Sequence, residues 1–281
     1  MMARYRFRLV NVFAETPLGG NPLAVFEDGR GLDTATMQAL ALQFNLSETT
    51  FLLPSTTANA HVRIFTPEFE MPFAGHPTLG SAHVVRALTG CGDALTLEMT
   101  AGIIPVSAQG DRWTLAANAA TTHVPTSTPA QIAGALGLAP ADLAGEPLWV
   151  DTGSEQLVIP VAGIEAVRRA RPDVGAMQAH CHNGRRSMAY VWARVGADRA
   201  EVRFFFPKGG AMIEDPGTGS ACANLGGYLL ATGEATPLTW TLAQGAQVGR
   251  PCALTLHVDA GRRIHVGGRV VELGRGEIDL P

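Results

Sequence analysis

The stretch Val62-Arg63-Ile64-Phe65-Thr66-Pro67 returns 140 residues later as Val202-Arg203-Phe204-Phe205-Phe206-Pro207. At the same offset Thr78 falls on Thr218, and with a slip of one residue Gly80-Ser81-Ala82 falls on Gly219-Ser220-Ala221. In both copies a strand ends in a proline turn, and a segment of Gly, Pro and Thr then opens a helix. A repeat this long is a half-protein duplicated, not a solenoid unit. Working outward, strands are expected near 4–13, 24–26, 50–53, 61–65, 95–99 and 103–108, with helices near 33–44 and 77–88. The Ser/Thr/Pro-rich residues 121–129 read as a linker. Beyond it come helices near 129–136, 165–171 and 216–231, and strands near 148–150, 157–160, 188–194 and 201–206, then terminal strands. Each half holds one long, weakly charged helix among strands, and such a helix is expected inside a curled sheet. The fold class is therefore α/β (α+β), with two pseudo-symmetric lobes, 1–120 and 121–281, the last strand packing back on the first lobe.

Composition narrows the functional classes. Of 281 residues, 46% are hydrophobic and 16% charged, a balance that supplies a core and excludes disorder. A net charge of −4 provides no basic field for nucleic acid. No apolar run approaches the ~18 residues a membrane helix needs, and Met1–Leu9, with Arg4, Arg6 and Arg8 alternating against Tyr5, Phe7 and Leu9, reads as a strand and not a signal peptide. Cys91, Cys181, Cys222 and Cys252 form no CxxC pair, so reduced thiols in the cytoplasm are expected. Lys208 is the sole lysine, hence the one candidate for an internal Schiff base.

Chemistry concentrates at the two helix entrances, Pro72-Phe73-Ala74-Gly75-His76-Pro77-Thr78 and Glu214-Asp215-Pro216-Gly217-Thr218-Gly219-Ser220. Pro77 and Pro216 suit a first helical position, where no N–H is wanted. Two helix starts facing each other across a lobe interface would offer unpaired N–H groups to a small anion such as a carboxylate. Gly75, Gly217 and Gly219 would let a ligand approach the backbone. Taken singly, Asp215 reads equally as an N-cap, His76 as a buried structural histidine and Ser220 as a packing residue; the duplication is what joins them. Glu48, in Asn45-Leu46-Ser47-Glu48-Thr49-Thr50-Phe51, maps at the offset of 140 onto Met188, so this carboxylate exists in one half only. Between apolar segments it is expected to have a raised pKa suited to proton shuttling, against the alternative of a surface turn glutamate.

Asn21-Pro22, Leu46-Ser47-Glu48-Thr49, Phe73-Ala74-Gly75-His76-Pro77-Thr78 and Glu214-Asp215-Pro216-Gly217-Thr218-Gly219-Ser220-Ala221, in that order, resemble the phenazine-biosynthesis isomerase (PhzF-like) family, which is related to diaminopimelate epimerase and proline racemase. The resemblance implies a diaminopimelate epimerase-like fold, each lobe a β-barrel-like sheet around a central helix with the site in the cleft between them. It also implies a homodimer, a small carboxylate substrate and cofactor-free isomerisation. By motif position Glu48 looks like the proton-transferring acid/base. His76, Asp215 and Ser220 look like positioning and relay residues, Gly75 like the backbone wall, and Gly217, Thr218 and Gly219 like the substrate-binding entrance. The racemase relatives carry a cysteine at each entrance; here those places hold Ala74-Gly75 and Asp215-Pro216, which favours one-base shuttling by Glu48 over a two-thiol racemase. The rival readings are a pyridoxal phosphate enzyme on Lys208, a metal site at His180-Cys181-His182, which lacks further ligands, an epimerase-type proton transfer, and a carboxylate-binding protein without catalysis. No metal and no cofactor are expected.

Overall fold

The computed structural model describes residues 2–281; Met1 lies outside them. The chain divides into two compact units, one taking in the residues up to Ala116 together with Gly267–Pro281, the other Ala117–Val266. The division thus falls at Ala116/Ala117, not 120/121, and the last strand is counted with the first unit. The first unit comprises β1 (Ala3–Val12), β2 (Asn21–Phe26), α1 (Thr34–Phe44), β3 (Glu48–Leu53), β4 (Ala60–Phe65), β5 (Glu70–Met71), α2 (Gly75–Thr89), β6 (Ala94–Met99), β7 (Gly102–Gln109) and β8 (Arg112–Ala116). The second comprises β9 (Thr121–His123), α3 (Pro129–Ala135), β10 (Leu148–Asp151), β11 (Gln156–Pro160), α4 (Ile164–Arg169), α5 (Val174–His180), β12 (Ala189–Arg194), β13 (Arg199–Lys208), β14 (Ala211–Asp215), α6 (Gly219–Ala231), β15 (Leu238–Gln244) and β16 (Cys252–Val258). A final strand, β17 (Ile264–Leu280), belongs to the first unit from Gly267 on.

In the first unit the sheet closes on itself. β1 pairs antiparallel with β2, β2 parallel with β3, β3 antiparallel with β4, β4 parallel with β6, and β6, β7 and β8 follow antiparallel. β17 pairs with both β8 and β1 and completes the ring. Helix α2 fills the barrel, since from Gly75 to Val85 it carries no Asp, Glu, Lys or Arg and its residues from His76 to Ala82 are buried. At Gly80 a Cβ would lie 2.6 Å from Leu23 Cδ2 and 3.1 Å from Val12 Cγ2, so only a glycine lets helix and strands approach this closely. Alternation sends the other strand face outward, where Phe26, Phe51 and Phe65 pack under Met37, Leu40 and Ala41 of α1.

The second unit repeats the order of pairings. β10 with β11 is antiparallel, β11 with β12 parallel, β12 with β13 antiparallel, β13 with β15 parallel and β15 with β16 antiparallel. The register repeats as well: Thr49 opposes Phe65 as Ala189 opposes Phe205, each pair separated from the other by the sequence offset of 140. Helix α6 carries no charged residue and packs at Gly227 so tightly that a Cβ would lie 2.6 Å from the Ala120 Cβ. Helices α3, α4 and α5 cover the outer sheet face through Ile132, Leu136, Val167 and Met177 against Trp149, Leu157 and Phe205.

The repeated Arg has one structural task in both units. Arg63 forks onto Glu70 of β5 at 2.7 and 2.6 Å, and its guanidinium carbon lies 5.0 Å from the Phe65 ring centroid. Arg203 forks onto Glu214 of β14 at 3.1 and 2.7 Å and lies 4.6 Å from the Phe205 ring. It also donates to the carbonyls of Val167, Arg168 and Ala170, the unpaired end of α4.

Two local expectations are corrected. Residues 121–129 are not a linker throughout: Thr121–His123 is β9, paired with β10, and Pro129 opens α3 behind the capping Thr128. Nor does either entrance proline occupy the first helical position. Helix α2 begins at Gly75, putting Pro77 third, where the missing N–H still costs no intrahelical bond. Helix α6 begins at Gly219, because Asp215 is still paired with Phe204 as the last residue of β14, and Pro216 lies in the turn before the helix.

Candidate functional site

In the first unit the parallel pairing of β2 with β3 sets Leu23 opposite Glu48, which brings the start of β3 beside Asn21-Pro22. The start of α2 meets them there. Ser81 Oγ and Thr50 Oγ1 lie 3.0 Å apart and tie the buried helix to the strand that carries Glu48. His76, the second residue of α2, is 6% exposed at its side chain and Glu48 16%. The His76 ring is hydrogen-bonded to the Pro22 carbonyl, and its Nε2 lies 3.5 Å from Glu48 Oε2. Desolvation drives the His76 pKa down to about 3, with the Pro22 carbonyl opposing weakly, so the imidazole is neutral near pH 7. A neutral ring pinned on one side by a carbonyl turns a lone pair, not an N–H, toward the carboxylate. The separation exceeds a formed hydrogen bond. Gly75 adjoins this pair as the first residue of the helix.

In the second unit Asp215, Gly217, Thr218, Gly219 and Ser220 form the corresponding entrance. Asp215 is not the N-cap. Thr218 holds the cap position, and its hydroxyl donates to Asp215 Oδ2. Gln244, at the end of β15, secures the turn by accepting from the Thr218 N–H at 3.2 Å and donating to the Asp215 carbonyl at 2.9 Å and Thr218 Oγ1 at 3.0 Å. The next residue, Gly245, has φ 80°, and a Cβ there would lie 2.4 Å from the Pro216 carbonyl oxygen, so the entrance turn rests directly on backbone. Ser220 Oγ accepts from Gln156 Nε2 at 2.8 Å. Gln156 in turn accepts from Asn224 Nδ2 at 2.9 Å.

Sequence reasoning missed the Pro22 carbonyl, Gln156, Asn224 and Gln244. A signal existed for two of them. Along Leu238-Thr-Trp-Thr-Leu-Ala-Gln244 the period of two sets Gln244 on the face of Leu238, Trp240 and Leu242, and a buried amide in an apolar register needs partners. Asn224 stands likewise among Ala, Cys, Leu and Gly in a fully buried helix. Lys208 ends β13 at a hairpin turn with Gly209 and Gly210. Among the described residues no three His, Cys, Asp or Glu side chains gather as a metal site, and His182 instead accepts the Gly184 N–H. No described helix is long and apolar enough to cross a membrane.

The phenazine biosynthesis-like (PhzC-PhzF) family profile matches residues 10–276. The chain belongs to this family. An uncharacterised isomerase of Pasteurella multocida is 41% identical over 284 residues, covering 100% of this chain and 96% of that protein. The trans-2,3-dihydro-3-hydroxyanthranilate isomerase of Pseudomonas fluorescens is 33% identical over 290 residues, covering 98% and 100%. Among solved structures, a PhzF-family phenazine biosynthesis protein of Bacillus anthracis superposes with a TM-score of 0.90 over 99% of both chains at 24% identity. The PhzF-like resemblance and the two-unit α/β fold expected from the repeat are thereby shown, and both of these sequence relatives are named isomerases.

Proposed function

We propose that the protein is a PhzF-family isomerase that moves a proton between carbons of a small carboxylate, with Glu48 as the acid/base. The observation that carries this reading is the Glu48–His76 pair, a carboxylate 3.5 Å from a buried histidine kept neutral by desolvation. Such a histidine cannot take a full proton cheaply, so it does not compete with Glu48 for the transferred proton. That suits a residue which must lift a proton from one carbon and deliver it to another. Asp215, with Thr218 hydrogen-bonded to it, and Ser220 are assigned to holding the substrate, with Gly75, Gly217 and Gly219 letting a carboxylate approach the backbone at the helix entrances. The cyclic amino acid named for the Pseudomonas fluorescens relative, trans-2,3-dihydro-3-hydroxyanthranilate, is the substrate class to try first.

The test is turnover in D₂O. The wild type is expected to isomerise the compound with deuterium appearing at the carbon that receives the proton. Glu48→Gln, which keeps the shape and loses the acid, is expected to be slower by about 10² to 10⁴ in kcat. Undiminished turnover by a folded Glu48→Gln protein refutes the assignment.

A further inference from the structure

The second entrance contains a chain of amides whose direction can be read. Asn224 Oδ1 accepts from the Thr152 backbone N–H at 3.0 Å and from Thr152 Oγ1 at 2.7 Å, while Asn224 Nδ2 donates to the Ser154 carbonyl at 2.8 Å. A backbone N–H only donates and a carbonyl only accepts, so turning the Asn224 amide over would set donor against donor and acceptor against acceptor. Both groups are buried, Asn224 at 0% and Thr152 at 8% exposure, and neither can turn to water for relief. The second Nδ2 hydrogen goes to Gln156 Oε1, which fixes the Gln156 amide with its nitrogen toward Ser220. Gln156 is 2% exposed. Ser220 Oγ therefore receives a hydrogen bond from within the protein, and its own single hydrogen is turned away from Gln156.

We infer that the Thr152/Ser154–Asn224–Gln156 relay sets Ser220 as a hydrogen-bond donor to the bound molecule, so that the ligand atom it meets is an acceptor such as a carboxylate or carbonyl oxygen. Gln156 and Asn224 are positioning residues in this scheme, acting through Ser220. The polarity follows from two backbone groups alone; its use in recognition rests on the reading of this entrance as substrate-holding. Gln156→Glu is the informative change, because it keeps the shape but replaces the donor by an acceptor. The carboxylate would take the Ser220 hydrogen and leave only lone pairs toward the ligand. Gln156→Met removes the donor without consuming that hydrogen.

Neutron diffraction from deuterium-exchanged crystals decides the polarity without any substrate. The expected maps show deuterium on the Gln156 nitrogen along the line to Ser220 Oγ, with the Ser220 deuterium off that line. A Ser220 deuterium directed at a Gln156 oxygen overturns the inference. Recognition is read with trans-2,3-dihydro-3-hydroxyanthranilate as the probe. Gln156→Glu is expected to raise KM about 10- to 100-fold with kcat within a few-fold, the loss of one charge-assisted hydrogen bond, and Gln156→Met less. Equal effects of the two variants, or a fall confined to kcat, overturn the donor role. A wild type that leaves the probe unchanged counts against the proposed substrate class, while the neutron maps still decide the polarity.

Discussion

At the scale of the residue, His76 shows how burial sets the charge of a titratable group. Its ordinary pKa of 6.5 falls to about 3 because the charged ring would lose its hydration inside the barrel. The sign of the pH effect follows. Between about pH 3 and 6.5 the unfolded chain binds a proton that the folded protein refuses, so stability falls as pH drops through that window. The slope from this residue is about 1.4 kcal/mol per pH unit at most. Denaturant midpoints measured from pH 4 to 7 are expected to flatten in His76→Gln, and the His76 imidazole should show no NMR titration between pH 5 and 8. An unchanged slope in the variant would remove the assignment. The residues that carry motifs were legible in the chain, since Glu48 and His76 stand in Leu46-Ser47-Glu48-Thr49 and Gly75-His76-Pro77. Gln156, in contrast, bonds a serine 64 residues away, and a lone glutamine has no local pattern to betray that contact.

At the scale of the element, the duplicated strands β4 and β13 show one motif serving at two depths. Arg203 and Glu214 have 5% and 10% exposed side chains, whereas Arg63 and Glu70 have 20% and 30%. Removing the deeper arginine strands a buried carboxylate and takes the donor from three carbonyls at the end of α4. Arg203→Ala is expected to cost about 3–5 kcal/mol in urea unfolding, and Arg63→Ala clearly less, because water can reach Glu70. Comparable losses at the two sites would show that burial is not what sets the cost. The helix starts illustrate a limit of local reading. Proline was expected at the first helical position, but in α6 the first helical residue is set by where the preceding strand lets go. Asp215 stays paired to Phe204, so α6 waits until Gly219.

At the scale of the molecule, the chain is two units built to one plan, each with a nearly uncharged helix surrounded by strands. The thiols follow from that plan. Cys181, Cys222 and Cys252 are buried, and burial pushes the Cys181 thiol up to about 12 and the Cys222 thiol higher still, while Cys91 is partly exposed. Ellman's reagent is expected to find one reactive thiol per native chain and four after denaturation, with turnover insensitive to alkylation of Cys91. Rapid modification of Cys222 together with loss of turnover would revive thiol chemistry. The linear order alone determined the duplication, the two helix entrances and the one-sided carboxylate Glu48, because repetition and local pattern are properties of the chain itself. Tertiary structure alone decided which strands β17 pairs with, β8 and β1, that Thr121–His123 is a strand, and that Gln156 and Gln244 address Ser220 and Thr218. Those are pairings between distant residues, selected by which buried donors and acceptors must satisfy one another once water is gone.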